Sequence, residues 1–570
     1  MIVPARRASL LLALLLLLSA CATAPSPGRA PGGAGISTAP SAPKTLTIAL
    51  EDEPLNLATL LDTGSSSAGE IRHIVHSRLA KNDDRGNFAP ELATELPSQE
   101  RGTWTVRPDG TMQTTYKLRE GVTWHDGTPL LPQDFILAFT MTLDPDLPIS
   151  QQSVARQISE VTAPDTGTLL IEWKNTYPFA NAIIEDDLGP FPSHIFSAVY
   201  PANKERVAQM PFWTREFVGV GPYQLTSWTP GSELTLKAYD RFWAGRPRID
   251  TLVFRFIESP STALSNLLAG TVDGVGPRAL DFAGAISAKE QMEGAGKSPL
   301  FVVQSANWRR LGVQFREPNP REITDVRVRK GLYQAIDRTA LVDSLFGGYA
   351  PASDVFVAPD DVRYDWVKDS IVRYDYDMRR AEQQLAEMGW RRGADGAVVN
   401  AAGERVSVGL WTTAGVEREI AIIADAWKNL GVTVDQHVLT PAENRDDRFR
   451  VSYPSFSIAT FPTSFEFTVS YLHSTGCPSE QSRWRGNNRG CYQNPENDRL
   501  VDEAKVAIGP ADQQRLYREI ARLRTDQLPE MPLYFVINLT VFREGISGIK
   551  GAARPRGGLG WNVMDWDVRT

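Results

Sequence analysis

Cysteine is almost missing from this 570-residue chain: three occur, at Cys21, Cys477 and Cys491. Histidine is nearly as scarce, with six. The pair His73 and His76 sits three residues apart on an expected helix, but no third ligand stands nearby to complete a metal site. Basic residues are not in excess, and the net charge of −8 lacks the electrostatic footprint of a nucleic-acid binder. The catalytic signatures G-x-S-x-G and H-E-x-x-H do not occur. Gly296-Lys297-Ser298 matches only the end of a phosphate-binding loop, because Gln291 stands where its first glycine is needed. No spacing singles out a carboxylate pair. The chain is therefore read as a non-enzyme, with no catalytic residue, metal or cofactor assigned.

What is present begins at the N-terminus. Arg6 and Arg7 precede an apolar run from Leu10 to Leu18, too short to span a bilayer and shaped like a secretory signal. Leu18-Ser19-Ala20-Cys21 follows and resembles the bacterial lipobox, which makes residues 1–20 a signal peptide and Cys21 the lipidated residue. Residues 21–43 are then a disordered tether rich in Ala, Pro, Gly and Ser. The protein is expected outside the cytoplasm, anchored to the bacterial membrane by lipid alone and facing the periplasm. In that oxidising compartment the two remaining cysteines, Cys477 and Cys491, are expected to form one disulfide worth ~3 kcal/mol. A metal site is the rival reading, and two thiols without a nearby His pair weigh against it.

The rest has the composition of a soluble globular protein, 42% hydrophobic and 22% charged, and its length calls for two or three domains. Residues 44–50 read as a strand and Ala68–Leu79 as a helix. Trp104–Val106 and the alternation around Thr114–Leu118 form a hairpin turned at Pro108-Asp109-Gly110. A second hairpin spans Val161–Trp173. From Pro132 a helical stripe runs through Phe135, Ile136, Phe139 and Leu143, with Asp134 in the first turn, where the helix dipole favours an anion. Further on, Asp325 caps an amphipathic helix. The segments Val406–Thr412, Glu417–Leu430 and Val432–Val434 make a strand–helix–strand unit.

Several of these stretches carry a resemblance. Tyr116-x-Leu118-Arg119-x-Gly121-Val122-x-Trp124-His125-Asp126-Gly127-x-Pro129 resembles the signature of the extracytoplasmic solute-binding proteins of the peptide/nickel class, family 5, which serve ABC importers. Gly219-Val220-Gly221-Pro222-Tyr223, Asp325–Arg338, Asn494–Leu500 and Pro529–Tyr534 are similar to the family's motifs in the same order. Tyr239–Trp243 is close but lacks the usual Asn. The resemblance implies an α/β, periplasmic binding protein-like fold: two α/β lobes joined by a two-crossing hinge, with an extra inserted α/β domain. By motif order, lobe I holds residues 44–81, 215–303 and 533–570. Residues 82–214 form the inserted domain II, and residues 304–532 form lobe II. The crossings fall near Gln304–Trp308 and Met531–Tyr534. In such a fold His125 hydrogen-bonds its own turn.

The implied function is capture of oligopeptides, or a related small solute, by hinge closure and delivery to an ABC permease and ATPase complex, with the receptor a monomer. A carrier for a non-peptide or metal-chelate ligand, and a peptide-binding sensor not coupled to transport, stay open. The ligand contacts are expected from loops at strand ends: Thr63, Gly64 and Ser65; Asn307, Trp308 and Arg309; Trp411, Thr412, Phe461, Phe465 and Tyr471. Arg309 and Arg310 point oppositely in a strand, so at most one faces a cleft. Peptide-binding relatives carry an acidic segment whose Asp pairs with the ligand's ammonium. Here it reads Phe461-Pro462-Thr463-Ser464-Phe465-Glu466-Phe467, with Thr463 in place of that Asp. If extended, this segment turns Glu466 away from Phe465 and Phe467.

Overall fold

The computed structural model describes residues 42–57, 66–149, 153–183, 188–552 and 558–569. Cys21, the signal and tether residues up to 41, and Thr63, Gly64 and Ser65 lie outside the described residues. From Pro43 onward the chain clusters as one unit.

Its frame is a ten-stranded mixed sheet and a four-stranded antiparallel one. In chain order the strands are β1 (Thr45–Leu50), β2 (Trp104–Val106), β3 (Met112–Lys117), β4 (Ile158–Asp165), β5 (Thr168–Trp173), β6 (Tyr223–Thr229) and β7 (Glu233–Ala238). They continue with β8 (Thr251–Phe256), β9 (Gly274–Val275), β10 (Leu300–Val313), β11 (Ser407–Thr413), β12 (Thr433–Leu439), β13 (Phe456–Phe461) and β14 (Glu530–Phe542). The large sheet runs β12-β11-β13-β10-β14-β9-β1-β8-β7-β6, and the small one β2-β3-β5-β4. Both expected hairpins are thus neighbours in the small sheet.

Two strands tie the large sheet together. β10 and β14 are antiparallel along nearly their whole length, from Leu300 opposite Phe542 to Gly312 opposite Glu530. The ladder is irregular between Ser305 and Trp308, and again between Arg309 and Arg310. On one side of the first break, β14 pairs with β9, and β9 with β1. On the other side β10 pairs with β13, Trp308 opposite Phe461 and Val313 opposite Phe456. The first expected crossing coincides with the break at Ser305–Trp308. The expected boundary at residue 532/533 falls inside the continuous strand β14.

In the half built on β11–β13 the sheet is covered on both faces, as an α/β layer requires. β11 and β12 pair in parallel from Ser407/Thr433 to Thr413/Leu439, joined by the helix Glu417–Asn429, so the expected strand–helix–strand unit is present. Leu311, Ile458 and Leu410 pack with Ile420, Ile423 and Trp427 of that helix. Trp308, Phe461 and Phe535 pack on the other side against Tyr471, Leu500 and Tyr517.

The Trp124–Pro129 corner is fastened from two directions. Asp134 is buried in the first turn of the helix Pro132–Thr142, where it accepts hydrogen bonds from Leu131 N (2.9 Å), Trp124 Nε1 (3.1 Å) and Ser193 N (2.8 Å). That helix buries Phe135, Ala138 and Met141, so its apolar stripe is rotated from the expected one and leaves Ile136 and Phe139 half-buried. His125 accepts from Gly219 N (3.1 Å) on Nδ1 and donates from Nε2 to Gly221 O (3.1 Å). Its hydrogen bonds thus reach Gly219 and Gly221, outside its own turn. These glycines touch the helix Ser66–Val75 so closely that a Cβ on Gly221 would stand 2.3 Å from Val75 C. This backbone contact ends the helix at Val75, short of the expected Leu79, and nothing in the local sequence signals it.

His73 is buried and His76 half-buried, His76 packing against Trp124 (5.9 Å) and Phe217 (6.0 Å). No group of three metal-ligating side chains occurs among the described residues. No helix there is long and apolar enough to cross a membrane.

Burial holds the His125 imidazole down at about 4 against its ordinary 6.5, so the folded state keeps it neutral while the unfolded chain protonates it. Its contribution to stability is therefore complete above pH 6.5 and is lost as pH falls toward 4. Replacing His125 by Ala is expected to cost about 1–3 kcal/mol at pH 7, with a smaller loss at pH 5, read by urea unfolding at both values.

Candidate ligand-binding site

The break in β10 is where several segments converge. The Thr463 hydroxyl donates to Ala306 O (3.0 Å), satisfying a carbonyl that lies within the break. Thr463 O accepts from Arg363 Nη2 (3.2 Å). The Arg363 guanidinium also holds Asp361 through two hydrogen bonds, one of them Nε to Oδ1 at 2.8 Å. The segment after β13 is thus pinned both to the break and to residues 361–363.

Ser464 follows, and its buried hydroxyl has no hydrogen-bond partner among the described residues. It occupies the N-cap position of the short helix Phe465–Ser470 but makes no side-chain cap bond. Instead it lines a cavity of about 420 Å³, within the range of small-ligand sites. Phe88, Trp104, Tyr177 and Phe179 wall this cavity from one direction, and Arg363 and Trp366 from the other. A second cavity of about 350 Å³ shares Val154, Tyr177, Pro178 and Phe179 and is closed by Val469, Ala504 and Lys505. Tyr177 stacks on Trp173 (5.2 Å, 21°) and meets Phe179 edge-on (5.8 Å), which fixes the partition between the two spaces. Rigid aromatic walls with a few polar groups suit an extended solute with apolar parts.

The residues expected to touch ligand are distributed differently. Trp308, Phe461 and Tyr471 come together in one buried aromatic cluster: Trp308 lies 6.4 Å from Tyr471, and Phe461 5.5 Å from it. Arg310 covers this cluster, 4.0 Å from the Phe461 ring, and pairs with the buried Glu530 at 2.9 Å. Arg309 points to the opposite face, as alternation requires, and its charge is taken up inside the protein. It donates to Thr460 Oγ1 (2.5 Å) and Tyr534 OH (3.2 Å), and Glu419 lies 3.4 Å away. Thr412 is buried, while Trp411 is half-buried and stacks on Phe449 (5.0 Å, 26°). Asn307 is exposed within the break.

Phe465 opens the helix Phe465–Ser470, so the extended geometry expected for Phe465–Phe467 does not hold; the side chains of Phe465 and Glu466 lie outside the described residues. None of the expected contact residues that are described lines either cavity. Tyr177, Phe179, Arg363 and Ser464, which line the first cavity, are not among the residues expected to touch ligand; the aromatics and proline of Tyr177-Pro178-Phe179 are the sequence signal for the first two.

Cys477 and Cys491 stand with Cα atoms 4.8 Å apart, inside the span a disulfide bridges. Arg524 fastens the region from behind, donating to Thr468 O and Val469 O (both 2.6 Å) and to Asn497 Oδ1 (3.0 Å). Burial drives its guanidinium down to about 9 and pushes the Glu530 carboxyl up to about 7, the latter opposed by Arg310.

A mixed α/β frame tied by two long shared strands, with aromatic-walled cavities, is an arrangement that can hold a small solute. The comparisons agree. The model of "Bacterial extracellular solute-binding proteins, family 5 Middle" matches residues 87–479, and the chain belongs to that family. The oligopeptide-binding protein AppA of Bacillus subtilis is 24% identical over 98% of this chain and 97% of its own length. The solved structure of that protein in complex with a nonapeptide superposes with a TM-score of 0.62 at 21% identity, covering 93% of this chain and all of that one. NikZ from Campylobacter jejuni, solved with Ni(L-His), gives 0.66 at 21% identity over 92% of this chain and all of that one.

The buried Arg310–Glu530 pair generates a test. Replacing Arg310 by Met strands a buried carboxylate and is expected to cost about 3–5 kcal/mol, while the double change Arg310→Met/Glu530→Gln recovers most of it. Urea unfolding of the two variants at pH 8, above the raised Glu530 value, checks this.

Proposed function

We propose that this protein captures an oligopeptide, or a related small solute, by closure of two lobes about the β10–β14 break and hands it to an ABC importer. The observation that carries the reading is the pair of aromatic-walled cavities, lined by residues 86–183 on one side and 362–513 on the other. They sit where an inserted domain of residues 82–214 meets a lobe of residues 304–532. Family membership and the oligopeptide binding named for the Bacillus relative support the same assignment. Residues 44–81, 215–303 and 533–570 complete lobe I. Closure follows from ligand contacts made on both sides, since a solute shifts the open–closed balance only by its differential affinity for the two states. The chain acts as a monomer without catalysis, tethered through Cys21 by lipid and facing the periplasm, with Cys477 and Cys491 disulfide-bonded.

The mode of peptide recognition departs from that of acidic-segment relatives. Thr463 uses its hydroxyl on Ala306 O, so this segment supplies no carboxylate at Thr463 for a ligand ammonium.

Native mass spectrometry of protein purified without denaturation is expected to show a bound solute of peptide mass. A metal-chelate mass, or no bound mass across growth conditions, would turn the assignment away from peptides. In fluorescence titration with that solute, Phe179→Ala is expected to weaken binding about tenfold with little change in melting temperature. Unchanged affinity would remove the cavity from the binding site.

A further inference from the structure

The wall of the larger cavity, about 420 Å³, offers a solute no free charge. Among the described residues that line it, Arg363 alone is charged. That guanidinium is already engaged: it holds the buried Asp361 through two hydrogen bonds, Nε to Oδ1 at 2.8 Å, and donates to Thr463 O (3.2 Å). The pair is neutral as a unit. The smaller cavity, which shares Tyr177 and Phe179, repeats the arrangement. Lys505 is the charged residue among those described on its wall, and Asp502 lies 3.3 Å from it.

The polar groups left for a solute are uncharged. Asn181 is half-buried on the wall of the larger cavity, and its amide makes no hydrogen bond among the described residues. Gln513, also on that wall, donates from Nε2 to Ala507 O (3.0 Å), which leaves its carbonyl oxygen open. Such amides hydrogen-bond a neutral amide, carbonyl or hydroxyl, but they cannot neutralise an ion. Burying an ionised carboxylate or ammonium among them costs far more than neutral hydrogen bonds return. A carboxylate beside Arg363 would also meet Asp361, and an ammonium would meet the Arg363 charge. The rings of Tyr177, Phe179 and Trp366 attract a cation weakly against that desolvation, whereas for an aromatic group they bury area and stack.

We infer that this cavity takes an uncharged aromatic side chain of the solute and turns away a charged one, with Asn181 and Gln513 as specificity-determining residues. Each amide is one step from a carboxylate of the same shape, and the wall holds no spare cation to cancel such a charge. Replacing either by its acid therefore shifts the preference toward a cationic side chain. The inference rests on the solute-receptor reading and adds a ligand class to it.

The test titrates the full chain, Asn181→Asp and Gln513→Glu by calorimetry. The probes are alanine pentapeptides with free termini that carry one Phe, one Glu or one Lys at each position in turn. The native protein is expected to bind its best Phe peptide at least about tenfold more tightly than its best Glu or Lys peptide, the least that an unpaired charge in a desolvated site implies. Each acid variant is expected to tighten the best Lys peptide at least about fivefold and to weaken the best Glu peptide, since it adds one unlike or like charge to the wall. Melting temperatures near native show that the variants fold, and if one does not, the other decides. Equal binding of the three native sets, a native preference for Glu or Lys, or Lys affinities unchanged in both variants overturns the proposal. If no pentapeptide binds, the peptide reading fails on its own. The cavity assignment then stands if N-acetylphenylalaninamide raises the native melting temperature while phenylacetate and phenethylammonium do not, and if Asn181→Asp comes to respond to phenethylammonium. It falls if a charged probe acts on the native protein as strongly as the neutral one, if no probe acts, or if Asn181→Asp responds as the native protein does.

Discussion

The structure depends on one ladder. β10 and β14 run antiparallel through the middle of a ten-stranded sheet, so the strands on one side are joined to those on the other only through them. Buried backbone groups must be hydrogen-bonded, which leaves a continuous sheet few places to bend. The irregularity between Ser305 and Trp308 is such a place, and the Thr463 hydroxyl covers the Ala306 carbonyl there. The irregular stretch is thus fastened to the segment that walls the cavity.

Around that ladder the charges are arranged in pairs. Arg309 and Arg310 leave opposite faces of β10 and are each neutralised inside the protein, by Glu419 and Glu530 respectively. Arg363 is held by Asp361. These pairs fix geometry rather than supply net stability, because two desolvated charges offset most of their own attraction. The aromatic partition at Tyr177–Phe179 gives the two cavities their shape.

Elements whose signals are local were legible in the sequence. The hairpin turned at Pro108–Gly110, the second hairpin within Val161–Trp173, the Asp325 cap, and the strand–helix–strand of residues 407–439 follow from period and turn chemistry. What depended on contacts between distant segments was not legible. The helix Ser66–Val75 stops because Gly219 and Gly221 press on it, a contact across more than 140 residues of chain. Trp308, Phe461 and Tyr471 carry the residue types of a binding wall, yet the helices Pro495–Val506 and Pro510–Gln527 cover them and make them core. Composition cannot distinguish an aromatic that faces a solute from one that faces a helix. The alternation considered for Phe461–Phe467 does not continue past Ser464, because a helix begins at Phe465.

The central claim is that solute sits between two parts that close about the Ser305–Trp308 break. Electron–electron distance measurement between spin labels at the exposed positions Asp109 and Arg522 tests it most directly, with the solute bound and after its removal. The account predicts a longer and broader distance distribution without solute and a shorter, narrower one with it. A distribution that stays the same while the solute demonstrably binds would contradict it.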